Sequence, residues 1–383
     1  MSNKKLMILG IVAALFVIWA VVQSNISNKP GTVSDIQAPL IQGFDPVEIG
    51  SIVLGTDKNA VTLKRDQGRF VVVSKDNYHA VTSKINDLIT SCLDIRTVEL
   101  YTDNPANHKD LGVTEENARN VIKFLKPDSQ LLVGIVIGRE TELGQGTFIR
   151  LLSSDKVYVT LDAPWIRDQA MDYIDQELIS VKREDVEAVT ISCPNEVYTL
   201  KTSEENQSIT LENLPEGKKL KSGVADGVFT ALANLSFDDV EKQSAAKKEL
   251  TFDNQFVCRL KNSTVYTVKI ARKDSKTHVT CDAQFTDKTP VTKTQGQVES
   301  EEELKKKESK LLARDKAEEF SEEHREWVYQ ISDYKAKNLT KKLSDLIEDE
   351  KKPDVKSEEK PKEEPGETEQ PSEPNSNVTE EKE

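Results

Sequence analysis

Apolar and polar positions alternate in short runs through most of the chain, and two of these stretches share one spacing. Ile49, Ile52, Leu54 and the run Thr62-Leu63-Lys64 recur 137 positions later as Val186, Val189, Ile191 and Thr199-Leu200-Lys201. A period of two marks strands with one buried face. The polar residues between the runs, Asp57-Lys58-Asn59 and Pro194-Asn195-Glu196, mark hairpin turns. Each copy continues with another strand, Arg69 to Val73 or Ser208 to Leu211. The period then changes to three and four, through Val81, Ile85, Leu88, Ile89 and Cys92 in one copy and Val224, Val228, Leu232 and Leu235 in the other. Such spacing puts one apolar stripe on a helix, which should lie against its own sheet.

The correspondence continues past the helices. Val121 to Lys126 matches Phe256 to Lys261, and the strands Leu131 to Ile137 and Thr147 to Leu152 match Val265 to Ile270 and His278 to Phe285. Lys156 to Val159, before a helix expected at Pro164 to Tyr173, resembles Glu326 to Tyr329, before one expected at Lys335 to Ile347. The fold class that follows is α+β, with two tandem repeats over residues 45–180 and 181–349, each an antiparallel sheet with a packed helix. Residues 286–325 are extra material in the second repeat. Within them Glu299 to Phe320 is dense in Glu and Lys, with Leu304, Leu311, Leu312 and Phe320 as its only sizeable apolar groups. Opposite charges three or four apart support an exposed, coiled-coil-like helix, whose thin apolar stripe is a candidate docking face.

The two ends read differently. Residues 6–22, LMILGIVAALFVIWAVV, carry no charge and follow Lys4 and Lys5. As a helix they rise about 25 Å, enough for a short transmembrane anchor. The flanking charge leaves residues 1–5 in the cytoplasm and the rest outside. The competing reading is a signal peptide cut near Val22-Gln23-Ser24, and both readings export the body. Residues 23–44, with Pro30, Gly31, Pro39 and Gly43, form an expected stalk. At the other end, residues 350–383 form an acidic tail. Lys351 to Glu383 holds eleven acidic residues, six lysines and five prolines with only Val355 and Val378 as sizeable apolar groups. Disorder is expected there.

Composition narrows the function classes. There are 52 Lys plus Arg against 66 Asp plus Glu, a formal net charge of −14, which disfavours nucleic acid because phosphate binding rests on basic contacts. Cys92, Cys193, Cys258 and Cys281 lack the CxxC spacing of zinc or redox sites. A Cys258–Cys281 disulfide and an unpaired state both stay open for an exported chain. His79, His108, His278 and His324 show no metal-ligand spacing and read as surface or capping groups. Gly138, Gly144 and Gly146 precede a strand, so they read as a hairpin loop and not as a phosphate cradle. Glu140 with Glu142 and Asp238 with Asp239 are the kind of pair that abundance alone produces, and Trp165 and Trp327 read as core anchors. The expected catalytic, cofactor-binding and metal sites are therefore none. The sequons at Asn206 and Asn262 matter only in a host that glycosylates exported proteins.

The order of segments carries one resemblance. The anchor, GSIVLGTDKNAVTLKRD, KDLGVTEENARNVIKFL, FIRLLSSDKVYVT, YIDQELISVKREDVEAVTI and WVYQISDYKAKNLTKKLSDLI together resemble the bacterial family called domain of unknown function 4340, across most of residues 44–347. That resemblance implies a membrane-anchored extracytoplasmic protein beside ABC-transporter components of the gliding-motility type, with no catalytic residues to carry over. The long acidic tail is not part of the family pattern. The expected function is a non-enzymatic binding or scaffolding subunit at the cytoplasmic membrane whose partners are the membrane and ABC-type transporter subunits. One alternative is a ligand sensor or carrier with its site between the repeats, around Tyr173 to Arg183. An envelope enzyme is the other.

Overall fold

The computed structural model describes residues 38–56, 60–142, 144–203, 208–246, 250–291 and 300–350. The expected anchor at 6–22, most of the stalk and the tail beyond Glu350 lie outside these residues. Among the described residues no helix is long and apolar enough to cross a membrane.

Two antiparallel sheets dominate. The first is built from β1 (Ser51–Leu54), β2 (Val61–Asp66), β3 (Arg69–Val72) and β4 (Tyr78–His79), then helix α1 (Thr82–Leu93), then β5 (Glu99–Thr102), β6 (Asn120–Leu125), β7 (Leu131–Glu140), β8 (Thr147–Leu151) and β9 (Val157–Thr160). Its spatial order is β4-β3-β2-β1-β6-β7-β8-β9-β5. The second contains β10 (Val186–Cys193), β11 (Glu196–Thr202), β12 (Ile209–Leu211), helix α2 (Ser222–Phe229), β13 (Asp239–Lys242), β14 (Asn254–Leu260), β15 (Thr264–Lys273) and β16 (Lys276–Phe285). Helix α3 (Glu301–His324), β17 (Trp327–Ile331) and the short helices α4 (Asp333–Leu339) and α5 (Leu343–Leu346) complete it. Its order is β12-β11-β10-β14-β15-β16-β17-β13. Taken in spatial order, its strands occupy the positions held in the first sheet by β3, β2, β1, β6, β7, β8, β9 and β5, and β4 alone has no counterpart.

Burial follows the period that predicts the strands. Ile52 and Leu54 on β1 and Val61 and Leu63 on β2 are buried, as are Val189, Ile191 and Leu200 in the second sheet. Helix α1 lays Ile85, Leu88, Ile89 and Cys92 on the first sheet, and a single large core runs through both sheets. The run Leu131 to Ile137 has a different cause. Residues 103–118 cover the other face of the first sheet, where Leu111, Val113, Val121, Val136 and Phe148 make a second core. A strand buried on both sides loses its alternation.

Several expectations change. Leu40 and Ile41 are buried and Ala38–Pro39 pairs with Arg96–Thr97, so the end of the supposed stalk belongs to the body. No helix spans Pro164 to Tyr173; the chain is irregular there and closes in a 3-10 turn at Ala170–Tyr173, which buries Tyr173. The helix expected at Lys335 to Ile347 is broken into α4 and α5, and Ile347–Asp349 becomes a strand beside Lys218–Leu220. Helix α2 ends at Phe229, yet Leu232 and Leu235 remain in the core. The inserted helix α3 packs on its own sheet, along β16.

Gly138 is not in the hairpin loop but within β7, where a Cβ would stand 2.6 Å from the carbonyl oxygen of Leu111 and 2.7 Å from Val113. The covering loop can sit that close only on glycine. Gly138→Ala should therefore lower stability by about 1–3 kcal/mol through overpacking, read as a lower urea midpoint at unchanged slope. Gly144→Ala, at φ +66° with open space around it, should cost only about 1–2 kcal/mol, the left-handed penalty.

Candidate functional site

One turn of the first sheet reaches both the second sheet and its insert. After β3 the chain passes through Asp76 and Asn77 at φ 53° and 64°, a left-handed pair that Asp and Asn tolerate better than other non-glycine residues. This turn aims three groups across the junction. Lys75 Nζ lies 2.6 Å from Asp239, and the Asp76 carboxylate accepts a hydrogen bond from the Lys242 backbone N–H at 2.9 Å. His79 Nε2 lies 2.7 Å from Glu323 on α3. Between them the Tyr78 ring enters a cluster with Trp327 at 4.8 Å, Phe237 at 6.1 Å and Tyr329 at 6.3 Å between centroids.

Tyr329 belongs to the same cluster, edge-on to Tyr78. Its own hydroxyl lies 2.6 Å from His324 Nδ1. Burial pushes the Tyr78 hydroxyl up to about 12 and His324 down to about 4. The hydrogen bond from His79 holds the Glu323 carboxyl below its usual range. His324 is thus a buried partner, not the surface group its position in a charged insert suggests. His108 is buried as well, hydrogen-bonded at 2.9 Å to the carbonyl of Asp155.

The other singled-out residues do not converge. Cys92, Cys193, Cys258 and Cys281 are free thiols. Cys258 pairs across β14 with Tyr266 and Cys281 pairs with Val268, so one whole strand separates them. Two strand spacings are about 9.5 Å, beyond disulfide reach. Burial pushes the Cys92 and Cys258 thiols up to about 12, away from reactivity. Glu140 pairs with Arg119 at 3.6 Å and Asp239 with Lys75. Trp327 anchors the core as expected, but Trp165 does not: it is 88% exposed, because the helix that would have turned it inward does not form. Among the described residues no group of three or more His, Cys, Asp or Glu could hold a metal ion.

Arg150 escapes sequence reading altogether. Its buried guanidinium donates to the carbonyls of Val113 and Ser154, each at 3.0 Å, and to that of Leu151 at 3.3 Å, fastening the covering loop to β8. Burial lowers its pKa. An arginine within an alternating strand gives no sign of such a role.

Two outward-facing features remain. The first is a groove of about 700 Å³ at the end of the second sheet, between the β10–β11 turn and the α4–α5 segment. Tyr198 donates its hydroxyl to the carbonyl of Lys341 at 2.7 Å, and the Glu196 carboxylate accepts from the Leu343 N–H at 3.2 Å. These bonds fix the floor. Arg272, Lys337, Lys341 and Lys342 line the groove against Glu196 and Asp345, and none of the four cations pairs with a carboxylate among the described residues. Cys193 at its rim is a half-buried thiol raised first by burial and then by Glu196.

The second feature is the far side of α3. Ser300 caps this helix, accepting from the Glu303 N–H while its own N–H donates to the Glu303 carboxylate. Ala313, Ala317, Phe320 and His324 turn inward. Phe320 stacks edge-on against Tyr266 at 5.2 Å. Leu304 and Leu311 lie roughly half a turn away and are 52% and 37% exposed, with Leu312 beside them at 53%. The stripe of four apolar groups is therefore two faces, with one of them unoccupied. By contrast the segment between the sheets is filled by the buried side chains of Tyr173, Ile174, Leu178, Ile179 and Val181.

Residues 71–255 match the family model described as domain of unknown function (DUF4340). Over that span the chain is similar to the DUF4340 family. No curated protein and no solved structure matches it. The span is narrower than the resemblance over 44–347, running from β3 into the start of β14 and so through parts of both sheets. Within the DUF4340 span lie Lys75, Asp76, Tyr78, Phe237 and Asp239; their partners Glu323, Trp327 and Tyr329 lie beyond it.

The junction fixes a pH dependence. Unfolded, His324 takes its proton near pH 6.5; folded, only near pH 4, so acid favours the unfolded chain. The contribution is complete above pH 6.5 and is lost as pH falls toward 4, by up to about 3 kcal/mol. Glu323, depressed by His79, adds a loss of the same sign at lower pH. Denaturant unfolding of wild type between pH 7 and 4 should show this decline, and His324→Gln should flatten its upper part. Parallel curves for the two proteins would refute it.

Proposed function

We infer that the chain is a non-enzymatic, membrane-anchored extracytoplasmic scaffold whose two sheets are one duplicated unit, held beside an ABC-type transport system of the gliding-motility kind. The observation that carries this reading is the two-faced helix α3: one side docks on its own sheet while Leu304, Leu311 and Leu312 face outward. Exposed leucines on a rigid element suit a protein partner. The shared strand order of the two sheets supports duplication. The strongly raised thiols and tyrosines support the non-enzymatic part, since Cys92, Cys258, Cys281 and Tyr329 owe their shifts first to burial in the core. The uncharged run at 6–22 supports the anchor, and the family resemblance supports the transporter neighbourhood.

The sensor or carrier reading has less support, because the space between the sheets is occupied by Tyr173, Ile174 and their neighbours. An envelope enzyme would need converging acids or nucleophiles, and the residues that suggested them are apart. In-cell crosslinking from the body, followed by mild membrane extraction, should recover transporter permease or binding subunits. Leu304→Glu with Leu311→Glu should reduce that recovery several-fold while changing stability by no more than about 0.5 kcal/mol, as for other surface substitutions. Undiminished recovery would remove α3 as the docking face, and recovery of no transporter subunit would sink the scaffold reading.

A further inference from the structure

The cationic groove lies next to the point where the described chain ends. Helix α5 supplies Asp345 to the groove wall, and Ile347–Asp349 then pairs with Lys218–Leu220, so Glu350 follows the groove by only five residues. Lys218–Asp349 at 2.6 Å and Lys219–Glu348 at 3.0 Å hold that departure point.

The chain that follows is divided in charge. Lys351 to Lys362 contains five of the six tail lysines, whereas Glu363 to Glu381 carries seven glutamates and no Lys or Arg. Twelve residues separate Glu350 from Glu363, a reach of up to about 45 Å when extended. The acidic stretch can therefore return to a groove a few residues upstream of its own tether. We propose that residues 363–381 dock in the groove formed by Arg272, Lys337, Lys341 and Lys342, making the tail an intramolecular occupant of that surface.

Three observations select this occupant. The groove holds four cations against two carboxylates, and in a chain of net charge −14 such a local excess is the exception. Glu196 accepts a hydrogen bond from the Leu343 N–H and forms no ion pair with the lysines across from it among the described residues. The tether also holds the acidic stretch at an effective concentration in the millimolar range, so that individually weak exposed ion pairs can fill the groove. An acidic segment of another protein has the same charge but lacks this advantage. Salt should weaken the contact, because the pairs are solvent-exposed. The inference does not depend on the scaffold reading.

The test uses the full chain in detergent, as an equal mixture of unlabelled and ¹⁵N-labelled protein, treated with a carbodiimide that joins lysine amines to carboxylates. The Lys218–Asp349 pair serves as the internal standard. Mass spectrometry should find Glu363–Glu381 joined to Lys337, Lys341 or Lys342 within single isotopic chains, several-fold above their links to other lysines and falling several-fold in 1 M salt. Lys337→Ala/Lys341→Ala/Lys342→Ala should abolish any preference of the tail for this end of the sheet while leaving the Lys218–Asp349 link intact. Replacing the seven glutamates with glutamine should raise the reactivity of the three lysines toward an amine-specific label. A Lys218–Asp349 link without tail links, tail links spread evenly over the lysines, or links between differently labelled chains would each overturn the proposal. Unchanged lysine reactivity in the glutamine variant would do the same.

Discussion

The joint between β4 and the second sheet depends on placing Tyr78 among that sheet's aromatic residues. β4 is two residues long, has no counterpart in the second sheet, and is reached through two consecutive left-handed residues. Such a turn stores conformational cost and persists only where its surroundings over-determine it. They do so here: Lys75 and Asp76 are tied to Asp239 and Lys242, the Tyr78 ring packs on Trp327 and Phe237, and His79 meets Glu323. The exposed ion pairs contribute little individually. The buried aromatic contacts contribute more, so the charges act chiefly as registration for a hydrophobic joint.

Helix α3 answers a problem created by the same sheet. β16 extends to Phe285, but β17 pairs with it only at Thr277 to Val279, which leaves the rest of that edge without a strand. An uncovered edge is a template for unwanted pairing. Helix α3 lies along β16, with Ser321 bonded to the Asp282 carboxylate and Lys310 2.6 Å from Asp287. Its last turn then delivers Glu323 and His324 to the joint. The insert is thus part of the load path between the sheets, and the leucines on its opposite side are what it has left to offer a partner.

Period-two alternation made the strands of both sheets legible, because Ile52, Leu54, Val189 and Ile191 face one core and their neighbours do not. α1 was legible for the same kind of reason. What failed was whatever depends on covering elements. Leu131 to Ile137 reads as a plain apolar run until residues 103–118 are laid over it, and Gly138 reads as a loop residue until Leu111 is seen against it. The apolar positions of 164–173 suggested a helix, but Pro164, an irregular stretch that buries Ile166 and a 3-10 turn that buries Tyr173 stand there instead. Of the candidate surfaces, the leucines of α3 were visible in sequence but not their separation from Phe320. The groove was invisible, because Arg272 and Lys337 meet only through the fold.

Charge distribution separates the two outward features in kind. The α3 leucines sit among alternating charges of both signs, where Lys305–Glu301 at 2.6 Å and Arg314–Asp315 at 3.0 Å already balance one another locally, so any attraction from that face is apolar and short-ranged. The groove is the reverse: its lining carries Arg272, Lys337, Lys341 and Lys342, these cations lack carboxylate partners among the described residues, and its attraction is electrostatic. An acidic body concentrates its self-repulsion where acidic segments gather and relieves it where cations do. Salt therefore discriminates between the two surfaces, weakening whatever occupies the groove and strengthening or sparing what binds the leucines. Two occupants of opposite physical character can share this body without competing, one at the edge of β16 and the other at the far end of the second sheet.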